Sequence, residues 1–169
     1  MYPLTGCFLD NLVFDTFKVS SAPPGGQVFV SATGTGVFGD WVNLGFQLTQ
    51  PGSLPGDIIL EYRVSGYING VDNFHNGVDV RIQEIVCAVP YVNGNCPNGN
   101  VLANFVNPPT TSASFDPQAS VYIQKDIQLN TQNAFISSFT NSHHVPEPAT
   151  FALLGGGLVA FALFRRRRA

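Results

Sequence analysis

Side chains able to do chemistry are few in this chain of 169 residues, and they are scattered. Glycoside hydrolysis needs two carboxyl groups about 5–10 Å apart, and Glu61 with Asp79 or Glu84 supplies the residue types. Eleven acidic residues offer many such pairings, however, and spacing alone selects none of them. A serine triad lacks its frame, because no Gly-x-Ser-x-Gly occurs and the histidines are His75, His143 and His144. The stretch Asn69-Gly-Val-Asp72 recurs as Asn76-Gly-Val-Asp79, with Asn73 and His75 between, and such oxygens suit calcium. The EF-hand spacing and its closing glutamate are missing, and Asn-Gly is first of all a turn signal. Three cysteines, Cys7, Cys87 and Cys96, contain no Cys-x-x-Cys and do not make a zinc set. No catalytic residue, metal ligand set or cofactor is therefore assigned, and the expectation is a protein that is not an enzyme.

The elements that would position these groups read as short strands. Residues 57–65 put Ile58, Leu60, Tyr62 and Val64 on one face and Glu61, Arg63 and Ser65 on the other, the period-two pattern of a half-buried strand. Residues 120–129 repeat it with Val121, Ile123, Ile127 and Leu129 inward. Lys125 falls on that apolar face and reads as a strand end, a bulge or a snorkelling edge residue. Residues 78–82 alternate too, with a slip expected near Gln83-Glu84. Further strands are expected at 11–19, 27–32, 42–49, 101–106 and 134–140. Between them lie turn formers: Pro23-Pro-Gly-Gly26, residues 50–56, Asn69-Gly70, Asn76-Gly77 and Asn107-Pro-Pro-Thr110. Many short strands with polar turns predict an antiparallel β-sandwich, with a closed barrel as the alternative.

After residue 140 the character changes. Pro146-Glu147-Pro148 is followed by a charge-free apolar run over residues 149–164 and then by Arg165, Arg166, Arg167 and Arg168. As a helix the run would span about 24 Å, a minimal membrane crossing. Arginine flanks stay cytoplasmic, which places everything before the run on the far side of the membrane. Proline holds its predecessor out of helix, so Pro146 and Pro148 keep the segment extended and accessible. His143 and His144, just upstream, read as part of a solvated stalk. The expected organisation is a β domain over residues 1–140, a linker over 141–148, a transmembrane helix over 149–164 and a cytoplasmic tail over 165–169.

This order of residues resembles the PEP-CTERM sorting signal of Gram-negative bacteria. The resemblance covers the tail alone. It implies recognition of Pro146, Glu147 and Pro148 by an exosortase, with a precursor in the inner membrane and its body in the periplasm. Cleavage near the motif then sends the body to the cell surface or the extracellular space. The β body also bears a loose likeness to the sandwich bodies of some such proteins, which implies no activity.

Composition agrees with export. The body holds four basic residues, Lys18, Arg63, Arg81 and Lys125, against eleven acidic ones, a net of −7 over residues 1–148. That balance argues against nucleic acid as a partner. Export also needs an N-terminal signal, and residues 1–10 have neither a basic region nor an apolar run, so the sequence is expected to begin inside a longer precursor. Leu4-Thr-Gly-Cys7 has the form of a lipidation box but lacks the apolar run ahead of it. In an oxidising compartment Cys87 and Cys96 are expected to pair across a turn-prone loop containing Pro90 and Asn93-Gly94-Asn95, leaving Cys7 over. Trp41, Tyr62, Tyr67, Phe74 and Tyr91 offer a platform on which sugar rings would stack. The leading expectation is a structural or adhesive protein of the cell surface, extracellular matrix or biofilm. A module binding extracellular polysaccharide comes second, and a secreted hydrolase third.

Overall fold

The computed structural model of the chain describes residues 6–9, 11–21, 27–35, 41–49, 56–131 and 134–146. Every regular element among them is a strand: β1 (Cys7–Leu9), β2 (Leu12–Ser21), β3 (Gln27–Thr35), β4 (Trp41–Thr49), β5 (Gly56–Val78), β6 (Val80–Cys87), β7 (Val101–Asn107), β8 (Ser112–Leu129) and β9 (Phe135–His144). All pairings are antiparallel, in the order β3-β4-β9-β5-β8-β6-β7, with β1-β2 added beside β5.

Two long strands turn this ladder into facing layers. The first half of β5 pairs with β2 and with the second half of β8, from Gly56↔Leu129 to Ser65↔Ser120. Its second half pairs with β9, from Gly70↔His144 to Val78↔Phe135. The change of partner falls where the β5–β8 register shifts, between Ser65 and Gly70. Gly66 permits the bend, with φ +129°, where an added Cβ would stand 2.4 Å from Leu12 Cδ2 and 2.8 Å from Asn11 O. Asp79, at φ +54°, then turns the chain from one layer back into the other as β6. This is the expected sandwich-like antiparallel sheet. Among the described residues, strands β3 and β7 end the order, which is open rather than closed into a barrel.

The alternation predicts the core correctly along β5 and β8: Ile58, Leu60, Tyr62 and Val64 are buried, as are Val121, Ile123, Ile127 and Leu129. Removal of each such side chain from water stabilises the fold by about 1.5–3 kcal/mol. Lys125 corrects the sequence expectation. It is neither a strand end nor a snorkelling edge residue, but lies in mid-β8 opposite Leu60 and Glu84 with its side chain 0% exposed. No slip occurs at Gln83-Glu84 either, since β6 pairs with β8 without interruption from Val80↔Leu129 to Cys87↔Tyr122. Glu84 is thus carried inward in phase with Val80, Ile82 and Val86. Asn69-Gly70 and Asn76-Gly77 are not turns but lie inside β5, because both flanks of that segment find strand partners that outweigh the local turn preference. An irregularity does fall between Asn76 and Gly77. Strand β9 continues through residues 141–144, so the residues expected to start a solvated linker are strand, and His143 is fully buried. The expected transmembrane helix and arginine tail lie outside the described residues.

The predicted disulfide is present: Cys87 and Cys96 are bonded, with Cα atoms 5.8 Å apart. The loop between them turns at Val92-Asn93-Gly94-Asn95, where Asn93 and Gly94 have φ +51° and +75° and the Val92 and Asn95 backbones exchange hydrogen bonds. Tyr91 ties the loop down by donating its hydroxyl to Ile85 O at 2.6 Å. Cys7 is free and half-buried, and burial pushes its thiol upward.

Candidate functional site

Three places concentrate polar side chains or lead to the tail. The first is interior. Glu84 from β6, Lys125 from β8 and Tyr62 from β5 point inward from one layer, and Asn141 and His143 from β9 meet them from the other. All five are buried, the most exposed at 2%. Lys125 Nζ donates to Glu84 Oε2 and, at 2.8 Å, to Asn141 Oδ1. Asn141 Nδ2 donates to Tyr62 Oη at 2.8 Å and to Glu84 Oε1 at 3.2 Å. His143 donates from Nδ1 to Val42 O at 3.2 Å, leaving Nε2 to accept from Tyr62 Oη at 3.3 Å.

Aromatic and apolar walls keep water from this cluster. Phe14 meets the His143 ring edge-on at 4.9 Å, Phe17 stacks on Tyr62 at 5.5 Å, and Lys125 Nζ lies 5.5 Å from the Phe139 centroid. Desolvation dominates the protonation equilibria here. It holds His143 down at about 3, with smaller contributions from the Lys125 and His144 charges, against the hydrogen bond to Val42. Burial also lowers Lys125, partly opposed by Glu84, and raises the Tyr62 hydroxyl. The cluster therefore holds a neutral imidazole and an amine whose charge is costly.

The second place is a polar surface cleft of about 300 Å³ between β9, β5 and β8, walled by Asn69, Asp72, Ser112, Ser114 and His144. Gly70 leaves the space open, since a Cβ there would lie 3.1 Å from Ala113 O and 3.5 Å from His144 Cβ. Asp72 Oδ2 holds His144 Nε2 at 2.8 Å, and both side chains are about 40% exposed. The cleft can offer hydrogen-bonding groups to a polar ligand.

Residues that sequence reasoning grouped together are separated by the fold. Glu61 faces the outside of its layer, accepting from Gln124 and Lys18, whereas Glu84 faces inward on the other side of the same sheet. Asp79 sits at the turn and accepts from Thr131. These carboxylates do not share a substrate position. The oxygen-rich repeat divides in the same way, with Asp72 at His144 and Asp79 at Thr131, and no group of three metal-ligating side chains occurs among the described residues. The aromatic platform is broken up: Tyr62 is in the core and Tyr91 caps the disulfide loop, while Tyr67 and Phe74 are 67% and 72% exposed. Trp41 lies in β4, and its side chain falls outside the described residues. Sequence reasoning missed the interior cluster, although two opposite charges in the inward phase of adjacent strands were a signal for it.

The third place is where the fold releases the tail. Strand β9 ends at His144, Val145 is still buried at 8% and Pro146 is half-buried. No spacer separates the last strand from the segment Pro146-Glu147-Pro148. A family model for the PEP-CTERM protein-sorting motif matches residues 144–168. This chain carries a PEP-CTERM sorting motif. The match takes in Pro146, Glu147, Pro148 and Arg165 to Arg168, and it begins on the histidine that walls the surface cleft. A PEP-CTERM motif marks a precursor that passes the membrane and is sorted to the surface or exterior through an exosortase. Searches of curated proteins and of solved structures found no match to the chain.

Proposed function

We propose that this PEP-CTERM protein is a non-enzymatic component of the cell surface or extracellular matrix, biofilm included, whose β body serves a structural or adhesive role. The observation that carries this reading is the direct junction of an interior strand, β9, to the sorting motif, which makes the whole sandwich the cargo. In the precursor, residues 149–164 cross the inner membrane as a helix, Arg165 to Arg168 stay cytoplasmic, and the body stands in the periplasm. Pro146, Glu147 and Pro148 form the element an exosortase recognises, and cleavage near them releases the body outward. The test is co-expression of the precursor, equipped with an export signal, with an exosortase. Wild type should lose its arginine-bearing C-terminus, while Glu147→Ala should insert in the membrane yet remain uncut. Equal maturation of both would remove the motif from the assignment.

A second role, binding extracellular polysaccharide, is favoured by the polar cleft at Asp72 and His144 and by exposed Tyr67 and Phe74, since sugars use hydrogen bonds together with aromatic faces. Glycan-array binding that is lost on Asp72→Ala would support it. Turnover of a glycan would instead revive a hydrolase.

A further inference from the structure

The interior cluster joins an amine, a carboxamide and a carboxyl group in one dry site. Lys125 Nζ lies 2.8 Å from Asn141 Oδ1, so the amine is already against the amide. Glu84 reaches both nitrogens of an amide exchange, with Oε2 on Lys125 Nζ and Oε1 3.2 Å from Asn141 Nδ2. We propose that Lys125 and Asn141 become joined by an intramolecular isopeptide bond, formed with Glu84 as the proton shuttle.

The step balances without any added reagent. Glu84 takes a proton from the Lys125 ammonium, and the neutral Nζ attacks Asn141 Cγ, forming the Nζ–Cγ bond while the carbonyl pair moves to Oδ1. Glu84 returns a proton to Nδ2 and takes another from Nζ. The Cγ–Nδ2 bond breaks, ammonia leaves and the carbonyl re-forms. Of the two protons that Nζ gives up, one departs in ammonia and the other rests on Glu84 or leaves with it as ammonium.

Several features favour this chemistry over a plain buried ion pair. Paired charges in a core usually stabilise no more than apolar residues of the same volume, so stability alone gives little reason for Glu84 and Lys125 to occupy these positions. Burial favours the neutral, nucleophilic amine. Adjacent strands hold Glu84 and Lys125 in register in β6–β8, β9 brings Asn141 against them from the facing layer, and such fixed proximity substitutes for very high reactant concentration. Tyr62 accepts from Asn141 Nδ2 at 2.8 Å and fixes the amide plane, acting as a positioning residue.

The experiment is mass spectrometry of the full chain, made in a host without an exosortase, extracted in detergent and reduced. The folded wild type should be lighter than its sequence by one ammonia. Trypsin should fail to cut after Lys125, giving one looped peptide over residues 82–165 in which fragment ions place the link between Lys125 and Asn141. Glu84→Gln should restore the full mass and the cut. Asn141→Asp should form the same bond with loss of water instead, which keeps the test independent of whether Glu84→Gln folds. A folded wild type of full mass, or an ammonia loss located at an Asn-Gly step with normal cleavage after Lys125, overturns the proposal.

Discussion

Replacing His143 by glutamine should flatten the pH dependence of stability between pH 7 and pH 5. In the native protein the ring is buried, donates to Val42 O, and is held neutral with its pKa at about 3 instead of 6.5. The native state therefore binds no proton at this site through the window, while the unfolded state takes one up as pH falls through 6.5. A depressed native value means that the contribution is fully present above pH 6.5 and is lost progressively toward pH 3. Between pH 7 and pH 5 the loss from this one group is about 2 kcal/mol. That figure depends almost wholly on the unfolded value, because the native value lies well below the window. Tyr62 and Asn141 meet the ring at Nε2, and both the Lys125 and His144 charges push it in the same direction. Urea unfolding of the body followed by far-UV circular dichroism at pH 7, 6 and 5 measures the slope. Wild type should lose stability toward pH 5 by that amount more than His143→Gln, whatever their absolute stabilities. Parallel slopes would refute the burial of a neutral His143.

Two further outcomes are expected. Serine at both Cys87 and Cys96 should cost about 2–3 kcal/mol, the chain-entropy value for a loop this short, read as a shift in urea midpoint without a change in fold; an unchanged midpoint would show that the loop's hydrogen bonds, Tyr91 to Ile85 among them, hold it without the disulfide. Gly66→Ala should cost at least about 2 kcal/mol, since φ +129° is strained for alanine and its Cβ meets Leu12 Cδ2 and Asn11 O, whereas Gly94→Ala has open space around the new methyl and should cost less; equal losses would contradict the bend assigned to Gly66.

Local chemistry was enough to read much of this protein. Period-two alternation located β5 and β8 and their buried faces because each strand has one wet and one dry side, and Asn93-Gly94 announced its turn because φ above zero is cheap there. What escaped were features decided at a distance. Asn69-Gly70 and Asn76-Gly77 carry turn chemistry, yet β9 claims the same backbone as a strand partner. Lys125 and Glu84 each break an apolar pattern in isolation, and their mutual satisfaction exists only once β6 and β8 are in register. His143 looked solvated beside a tail signal, and only the facing layer, with Phe14 and Tyr62, gives it a reason to be dry. The sorting motif was legible in full because it acts through linear order.

The interior position of β9 bears on how the protein would carry mechanical load. A pull on Pro146 from an anchored tail enters the sandwich at His144 and runs along a strand flanked on both sides, by β4 from Trp41↔His144 to Gln47↔Ser138 and by β5 from Gly70↔His144 to Val78↔Phe135. Tension directed along such a strand strains its two rows of hydrogen bonds together, in shear, where an edge strand pulled sideways would peel one bond after another. Asn141 stands three residues inside that point of entry, so a covalent tie to Lys125 would pass the tension into β8, the other long strand shared by both layers, and spare the segment between them from extension.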